Sequence, residues 1–360
     1  MRLVVRTRPE GPRRHFARLP EVVRARFDVA QAHNHRVCYT TTTDRLRRRF
    51  PFLESLKLKG KPRAAMFNLI PDDWGGYVTP WVREIAENFD CLRSLHFRRM
   101  IVRDSDLEVF ELDESAKKQL RTLFLEESAI IERDGEWLHE IAMNNSVLET
   151  LNFYMTDLVQ TRNVIGDTGL EVLAQSCKKL KRLRIERGAD EQGMGDEEGA
   201  VSHRGLTALA QGCLELEYIA IYVSDITNAS LESIGTYSKN LCDFRLKICT
   251  LSPTGGLTDV GLGYIGRYSP HVRWMLLGYV GGSDTGLLEF SKGCPSLQKL
   301  EMRGCCFSER ALAHAALQLP SLRYLWVQGY KASSQSGRDL LAMARPFWNR
   351  ANSRETSHYD

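Results

Sequence analysis

The chain has 360 residues, of which 43% are hydrophobic and 26% charged, and its formal net charge is +4. This composition is typical of a globular protein with a sizeable core. The nine cysteines are scattered and odd in number, which excludes a disulfide scaffold and indicates a reducing compartment, the cytosol or nucleus, with the thiols buried at repeat positions. No run of residues approaches the ~18 apolar residues of a membrane span, and the N-terminus lacks the apolar stretch of a secretory signal.

Residues 1–36 do not fit the pattern of the rest of the chain. They hold nine Arg against three acidic residues. A targeting peptide is one interpretation, because such peptides are rich in Arg and poor in acidic residues, but this segment has no Ser. We favour an unstructured basic leader.

A strand pattern of the form L-x-x-L-x-L recurs along residues 37–347. The intervals between its first apolar residues range from 25 to 39 residues, with a base period near 25 that fits the ~20–29 residues of a leucine-rich repeat. The ten first positions are Leu53, Leu92, Leu120, Leu148, Leu180, Leu216, Leu241, Val272, Leu297 and Leu322.

Four segments align directly, and each has a Gly-Leu opening, a helix-period stretch and then the strand pattern. They are IGDTGLEVLAQSCKKLKRLRIERG from Ile165, VSHRGLTALAQGCLELEYIAIYVS from Val201, LTDVGLGYIGRYSPHVRWMLLGYV from Leu257 and GSDTGLLEFSKGCPSLQKLEMRGC from Gly282. One strand–helix unit cannot bury its own apolar face, whereas a stack of such units can. We therefore predict an α/β leucine-rich-repeat solenoid with parallel strands on its concave face and helices on its convex face.

Side chains alternate along a strand, so the residues beside the buried pair must line the concave face. In the repeat of Leu180, for example, we expect Leu183 and Ile185 to be buried and Arg182 and Arg184 to face outward. Basic residues outnumber acidic ones on this face and aromatic residues lie among them, which favours a ligand-binding surface over ordinary surface charge. The same rule places these residues on the face: Lys57, Lys59, His96, Arg98, Phe124, Glu126, Asn152, Tyr154, Tyr218, Tyr222, Asp243, Arg245, Lys247, Trp274, Leu276, Lys299, Glu301, Arg303, Tyr324 and Trp326.

Two insertions interrupt the repeats. Residues 61–81 mix Pro, Gly and large apolar side chains, and this loop is long enough to fold over the concave opening or to pack against the rim. Residues 188–202 are acidic and rich in Gly, which favours a mobile loop. We expect residues 348–360 to form a polar, frayed tail.

Long strings of residues carry a resemblance to a known family. The plant coronatine-insensitive jasmonate receptors, which are F-box leucine-rich-repeat proteins related to the auxin receptors, closely resemble this chain over most of residues 37–347. The strings that carry the resemblance are KLKGKPRAAMFNLIP at 57–71, WGGYVTPWV at 74–82, LHFRRMIV at 95–102, KRLRIERGADEQGM at 181–194, VRWMLLGYVG at 272–281, LQKLEMRGCCFSER at 297–310 and LPSLRYLWVQGY at 319–330.

The resemblance implies a non-catalytic, substrate-recruiting subunit of an SCF-type ubiquitin ligase in the nucleus, with the cytoplasm as an alternative. Jasmonoyl-isoleucine would join the concave face to the degron of a jasmonate-ZIM-domain repressor, above an inositol polyphosphate, and the Skp adaptor and cullin are family partners. Matching positions imply hormone contacts from Arg63, Ala64, Phe67, Leu69, Arg184, Tyr222, Arg245, Trp274, Leu276 and Arg303. They imply polyphosphate contacts from Lys57, Lys59, Met66, His96, Arg98, Arg99, Arg182, Arg245 and Lys299, and degron contacts from Arg187, Tyr222 and Trp274.

The chain also departs from the family pattern. Residues 1–36 show no F-box helices, so we expect adaptor binding to fail. Blocks that the family carries are missing after Leu158 and after Arg245, one of them with a pocket Tyr, and Lys247 stands where the family has an apolar residue. The C-terminal capping segment is lost after Trp348. The alternative interpretation is therefore a truncated leucine-rich-repeat scaffold or an inactive paralogue.

Two other functional classes find little support. The sequence has no nucleophile elbow, phosphate loop or metal-ligand cluster, so we expect no catalysis. The expected concave face is too narrow for a nucleic-acid duplex, so we expect no nucleic-acid partner.

Overall fold

The computed structural model describes residues 2–7, 24–26, 53–59, 78, 82, 85, 91–98, 100–103, 120–131, 136–155, 166–187, 201–223, 226–248, 258–278, 282–305 and 307–328. The chain divides into two compact units. The first consists of residues 1–164 and 186–190, and the second of residues 165–185 and 191–360.

The first unit is built on parallel strands. Strands β3, β4, β6 and β7 pair in that order, and β5 pairs separately with the end of β6. The described elements are β1 (Arg2–Thr7), β2 (Arg24–Arg26), β3 (Leu53–Lys59), β4 (Ser94–Arg98), β5 (Ile101–Arg103), β6 (Thr122–Ile131), α1 (Glu136–Asn144) and β7 (Thr150–Met155).

The first two strands differ from the expected unstructured leader. Strand β1 pairs antiparallel with both β2 and β3. An edge strand such as β3 presents unpaired N–H and C=O groups, and the β-branched Val4 and Val5 suit a strand that covers them. The rest of residues 1–36, like the expected tail at 348–360, lies outside the described residues, so these boundaries stay predictions.

The second unit alternates helices and strands along the chain, and all its paired strands are parallel. Its helices have eight to ten residues, and no helix in the described part of the chain is long and apolar enough to cross a membrane. The elements are α2 (Asp167–Ser176), β8 (Arg182–Arg187), α3 (His203–Gly212), β9 (Tyr218–Val223), α4 (Asn228–Tyr237), β10 (Asp243–Ile248), α5 (Asp259–Tyr268), β11 (Trp274–Gly278), α6 (Asp284–Ser291), β12 (Lys299–Arg303), α7 (Glu309–Gln318) and β13 (Tyr324–Gln328).

Burial confirms the α/β leucine-rich-repeat fold and its register. All ten first positions of the strand pattern are buried. The helices bury one apolar face, and alternate strand residues are buried with them, so each core lies between the strand and helix layers. Four of the described cysteines, Cys177, Cys213, Cys294 and Cys305, are buried thiols, as expected.

One residue of the expected core, Ile185, is less buried than predicted. Leu183 is fully buried, but Ile185 is only half-buried. The equivalent position in β9, Ile221, is buried.

The Gly-Leu openings mark a close approach between successive helices. The carboxylate at the first position of one helix accepts hydrogen bonds from the N-cap Ser of the next. Asp284 accepts from Ser308 N at 2.7 Å and from Ser308 Oγ at 2.6 Å, and Asp259 makes the same pair of contacts with Ser283. A Cβ on Gly286 would lie 2.5 Å from Asp259 Oδ1, so this position has room only for glycine.

Candidate ligand-binding surface

In each unit, one face of the strand layer points away from the helices, and we call it the open strand face. In the first unit, Lys57, His96, Phe124 and Asn152 form one row across it, because the strand register aligns them. Arg98, Glu126 and Tyr154 lie in the next row. The strand-face prediction is therefore confirmed for these residues.

His96 and Glu126 form the centre of a charged cluster in the first unit. His96 Nε2 lies 2.8 Å from Glu126 Oε2, and Arg98 Nε lies 3.8 Å from Glu126 Oε1. The Phe124 ring packs beside the imidazole with a centroid separation of 5.0 Å. Burial is the main cause that lowers the pKa of His96 from 6.5 to about 4; Lys57 and Arg98 lower it further, and Glu126 opposes them. The imidazole is therefore neutral at neutral pH.

The second unit has a longer row. The register aligns Tyr218 with Arg182 on one side and Asp243 on the other. It continues through Trp274 and Lys299 to Tyr324. The row therefore alternates charged side chains, two cationic and one acidic, with aromatic ones across neighbouring strands.

Cations of this face lie over its aromatic rings. The Arg182 guanidinium carbon is 4.6 Å from the Tyr218 ring centroid. The Arg245 guanidinium carbon is 3.5 Å from the Trp274 centroid and 5.2 Å from that of Tyr218. Lys299 Nζ lies 3.9 Å from the Trp274 centroid and 4.9 Å from that of Tyr324. Such contacts hold cations in place at little desolvation cost.

Carboxylates on the same face pair with two of these cations. Arg245 donates from Nε to Asp243 Oδ1 at 3.1 Å and from Nη2 to Asp243 Oδ2 at 3.2 Å. Lys299 Nζ lies 2.6 Å from Glu301 Oε1. The face is therefore a set of partly neutralised cations, which can bind an anion that outcompetes or displaces the carboxylates.

Aromatic and apolar groups complete this surface. Tyr218 is buried beneath the two arginines, and Trp274 and Leu276 are half-buried. The Trp274 Nε1 atom is itself buried, and its hydrogen has no acceptor among the described atoms. No group of three or more His, Cys, Asp or Glu side chains in the described part of the chain could hold a metal ion.

The structure places about half of the site residues that the resemblance implied. Lys57, His96 and Arg98 lie on the open strand face of the first unit, and Arg182, Arg184, Arg245, Trp274, Leu276 and Lys299 lie on that of the second. The backbones of Lys59, Arg187, Tyr222 and Arg303 lie in strands, but their side chains are outside the described set. The remaining residues, which also lie outside it, are Arg63, Ala64, Met66, Phe67, Leu69 and Arg99.

Sequence reasoning gave no role to three acidic residues that contact the expected ligand-binding cations. Glu126, Asp243 and Glu301 were placed on the face only by strand alternation. The signal that could have identified them is position, because Asp243 and Glu301 each stand two residues from a cation on the same strand face. Glu126 contacts His96 on a neighbouring strand, so this pair can be predicted only when the strand register is known.

The strand–helix repeats define a leucine-rich-repeat protein, and its second unit carries a row of cationic and aromatic side chains on the open strand face. A family model for the transport inhibitor response 1 protein domain matches residues 51–97. Coronatine-insensitive protein 1 of Arabidopsis thaliana is 46% identical over 484 positions, which cover 87% of this chain and 82% of the relative. Coronatine-insensitive protein homolog 1a of Oryza sativa subsp. japonica is 41% identical, with 93% and 84% covered. The chain belongs to the coronatine-insensitive protein family, within the F-box leucine-rich-repeat receptors.

Solved structures are more distant. The yeast Rad7–Elc1 complex matches with a TM-score of 0.46 and 12% identity, covering 77% of this chain and 78% of the matched chain. An internalin from Listeria monocytogenes matches with a TM-score of 0.39 and 13% identity, covering 86% and 89%. Because both TM-scores are below 0.5, the family assignment depends on the sequence relatives alone.

The alignment with the Arabidopsis relative also bears on the missing repeats. It spans 484 positions, whereas this chain has 360 residues, so the relative carries segments within the aligned region that this chain lacks. Repeats can be lost from such a fold without destroying it, because each repeat contacts mainly its neighbours.

Proposed function

We propose that the chain is a hormone-dependent substrate-recognition subunit of an SCF-type ubiquitin ligase. It binds jasmonoyl-isoleucine, an inositol polyphosphate and the degron of a jasmonate-ZIM-domain repressor, and it acts without catalysing a reaction itself. We place this activity in the nucleus. In the family the Skp adaptor and a cullin complete the ligase, and this chain would join them only through an F-box, which residues 1–36 are not expected to supply. The observation that carries this proposal is the cation–aromatic row of the second unit, in a chain that belongs to the coronatine-insensitive family.

The chemistry of this row suits a carboxylated, partly apolar hormone. Arg184 and Arg245 lie in one row of the same face, on strands β8 and β10 with β9 between them, and each has the planar fork that recognises carboxylates. Each charge-assisted hydrogen bond contributes ~1.5–3 kcal/mol net. Trp274 and Leu276 supply an apolar wall beside them. These groups support binding of a small amphipathic acid.

The cations also suit a polyphosphate. On the open strand face of the second unit these cations are Arg182 and Lys299. Lys57 and Arg98 are the cations of the first unit's own open strand face. Multiply charged phosphates interact with several such side chains at once, so their affinity depends on the number of cations and on salt. An inositol polyphosphate is therefore a structural cofactor in this proposal.

The test is capture of a biotinylated repressor degron peptide with and without jasmonoyl-isoleucine. We expect hormone to increase capture by the wild-type chain, and Arg245→Ala to abolish the increase because the stacked guanidinium is lost. Arg204→Ala is the matched control, since Arg204 is an exposed helix residue paired with Glu171. Equal, hormone-independent capture by all three proteins would contradict the proposal.

One observation favours a second candidate function. The chain lacks segments that the Arabidopsis protein has, which is compatible with a repeat scaffold that keeps the fold but no longer binds the hormone. Such a scaffold would show no hormone-dependent capture, although it would unfold cooperatively like an intact repeat protein.

A further inference from the structure

We infer that Asp243 is a specificity-determining residue that sets which anions the open strand face of the second unit accepts, because its carboxylate competes with them for Arg245. The inference rests on the proposed function, in which anionic ligands bind this face. It adds a residue whose effect on those ligands opposes that of the cations.

The position of the Arg245 side chain shows that Asp243 is engaged with it. By register, Arg245 belongs to the row of Ala220 and Leu276. Its guanidinium nevertheless lies over the rings of Tyr218 and Trp274, which belong to the row of Asp243. The guanidinium is therefore drawn back along β10 by one row.

Two hydrogen bonds hold it there. Asp243 accepts from Nε at 3.1 Å and from Nη2 at 3.2 Å, so it uses the forked edge with which arginine binds carboxylates and phosphates. The side chains of Arg245 and Asp243 are 17% and 20% exposed, so water screens this pair only partly. An anion that needs the same edge must displace the Asp243 carboxylate.

Displacement does not remove the carboxylate from the face. Asp243 is fixed to β10 two residues from Arg245, so an anion bound to Arg245 remains close to a negative charge. Coulomb repulsion grows in proportion to the charge of the ligand. Asp243 should therefore weaken the binding of a highly charged polyphosphate far more than that of a singly charged acid.

Glu301 stands in the same relation to Lys299, two residues along β12 and within 2.6 Å. That pair lacks the forked geometry, because an ammonium is a point charge that rotates freely among partners. We therefore expect Asp243 to discriminate between anions more strongly than Glu301 does.

The test measures affinities for inositol monophosphate, inositol trisphosphate and inositol hexakisphosphate by isothermal titration. Asp243→Asn removes the charge while its amide oxygen can still accept a hydrogen bond from Arg245. We expect its gain over wild type to rise with ligand charge, from less than about threefold for the monophosphate to more than about tenfold for the hexakisphosphate. The matched control is Glu215→Gln, which makes the same charge change at a half-exposed turn position whose partner is Lys181.

Each outcome decides the inference. A gain that does not rise with ligand charge, or weaker binding by Asp243→Asn, overturns it and leaves the proposed function intact. Equal gains in both variants would show a general charge effect and also overturn it. Binding by Asp243→Asn where wild type shows none supports it, whereas no binding by either protein overturns both this inference and the polyphosphate part of the proposed function.

Discussion

The charge of His96 depends on its strand environment. Its imidazole lies between the cations Lys57 and Arg98 and beside the Phe124 ring, with Glu126 as its hydrogen-bond partner. These surroundings lower its pKa from 6.5 to about 4, mainly through burial. The unfolded chain therefore binds a proton in this interval that the folded chain does not.

The free energy of unfolding should fall as the pH decreases from 6.5 towards 4, and His96 should contribute no slope above 6.5. The limiting slope for one proton is ~1.4 kcal/mol per pH unit. Between pH 7 and pH 5 the free energy of unfolding should therefore fall by ~1 kcal/mol less in His96→Gln than in the wild type, a value discounted for partial solvent screening. Urea unfolding of both proteins at the two pH values measures this, and parallel pH profiles would show that His96 does not carry the effect.

At the scale of elements, the contact between successive helices is a repeated device. Asp284 accepts hydrogen bonds from the backbone N–H and the hydroxyl of the N-cap Ser308. Asn228 accepts from Thr258 N through Oδ1 at 2.9 Å and donates from Nδ2 to Thr258 Oγ1 at 2.7 Å. An amide can therefore replace the carboxylate in this arrangement. The side chain ties the start of one helix to the start of the next.

We expect Asp284→Ala to destabilise the chain by ~1–3 kcal/mol, because it leaves part-buried donors of Ser308 without their acceptor. Asp284→Asn should destabilise the chain less than Asp284→Ala, since the amide of Asn228 already makes such a contact with Thr258. Chemical denaturation of the two variants measures the difference. An equal loss for Ala and Asn would show that the charge, rather than the hydrogen bonds, stabilises the contact.

The sequence was sufficient to predict the strand elements because their burial pattern is local. The apolar positions of L-x-x-L-x-L determine which side chains enter the core, and alternation then determines the open strand face. This correctly placed Arg182, Trp274 and Lys299. It failed at Ile185, which alternation places in the core but which is only half-buried.

The pairing of side chains across the face was beyond sequence reasoning. The partners of His96 lie 30 residues away along the chain, and the retraction of Arg245 over Trp274 depends on rotamers. The basic face consequently looked more strongly charged from the sequence than it is, because Glu126, Asp243 and Glu301 neutralise part of it. The strands at Arg2–Thr7 and Arg24–Arg26 were missed because they lack the L-x-x-L-x-L pattern that identified the other short strands.

At the scale of the whole molecule, polyphosphate binding should stabilise the folded chain. A ligand that binds only the folded state stabilises it by ~2.7 kcal/mol at ~100 times its Kd. We expect inositol hexakisphosphate to raise the Tm, and the increase to shrink with added salt because the contacts are ionic.

The matched variants for this experiment are two lysines. Lys299→Ala removes a cation of the open strand face and should reduce the Tm increase, whereas Lys292→Ala removes a helix lysine paired with Glu289 and should leave it unchanged. A Tm that does not respond to saturating ligand at low salt would show that the cations do not form a polyphosphate site.

Under the proposed function, we expect the affinity for the hormone to depend on the repeats that this chain lacks relative to the Arabidopsis protein. A lost repeat displaces flanking strands by about one strand spacing, ~4.8 Å, and a charge-assisted hydrogen bond does not tolerate such a shift. Arg184 and Arg245 are separated by one strand and keep their mutual register. We therefore expect binding that is retained but weakened.

The most direct test of this account is saturation binding of labelled jasmonoyl-isoleucine in the presence of a repressor degron peptide, with the Arabidopsis relative measured alongside. We expect saturable binding to this chain that is at least ~10-fold weaker than to the relative, which corresponds to ~1.4 kcal/mol. The absence of saturable, degron-dependent binding to this chain, while the relative binds, would contradict the account and leave the inactive scaffold as its function.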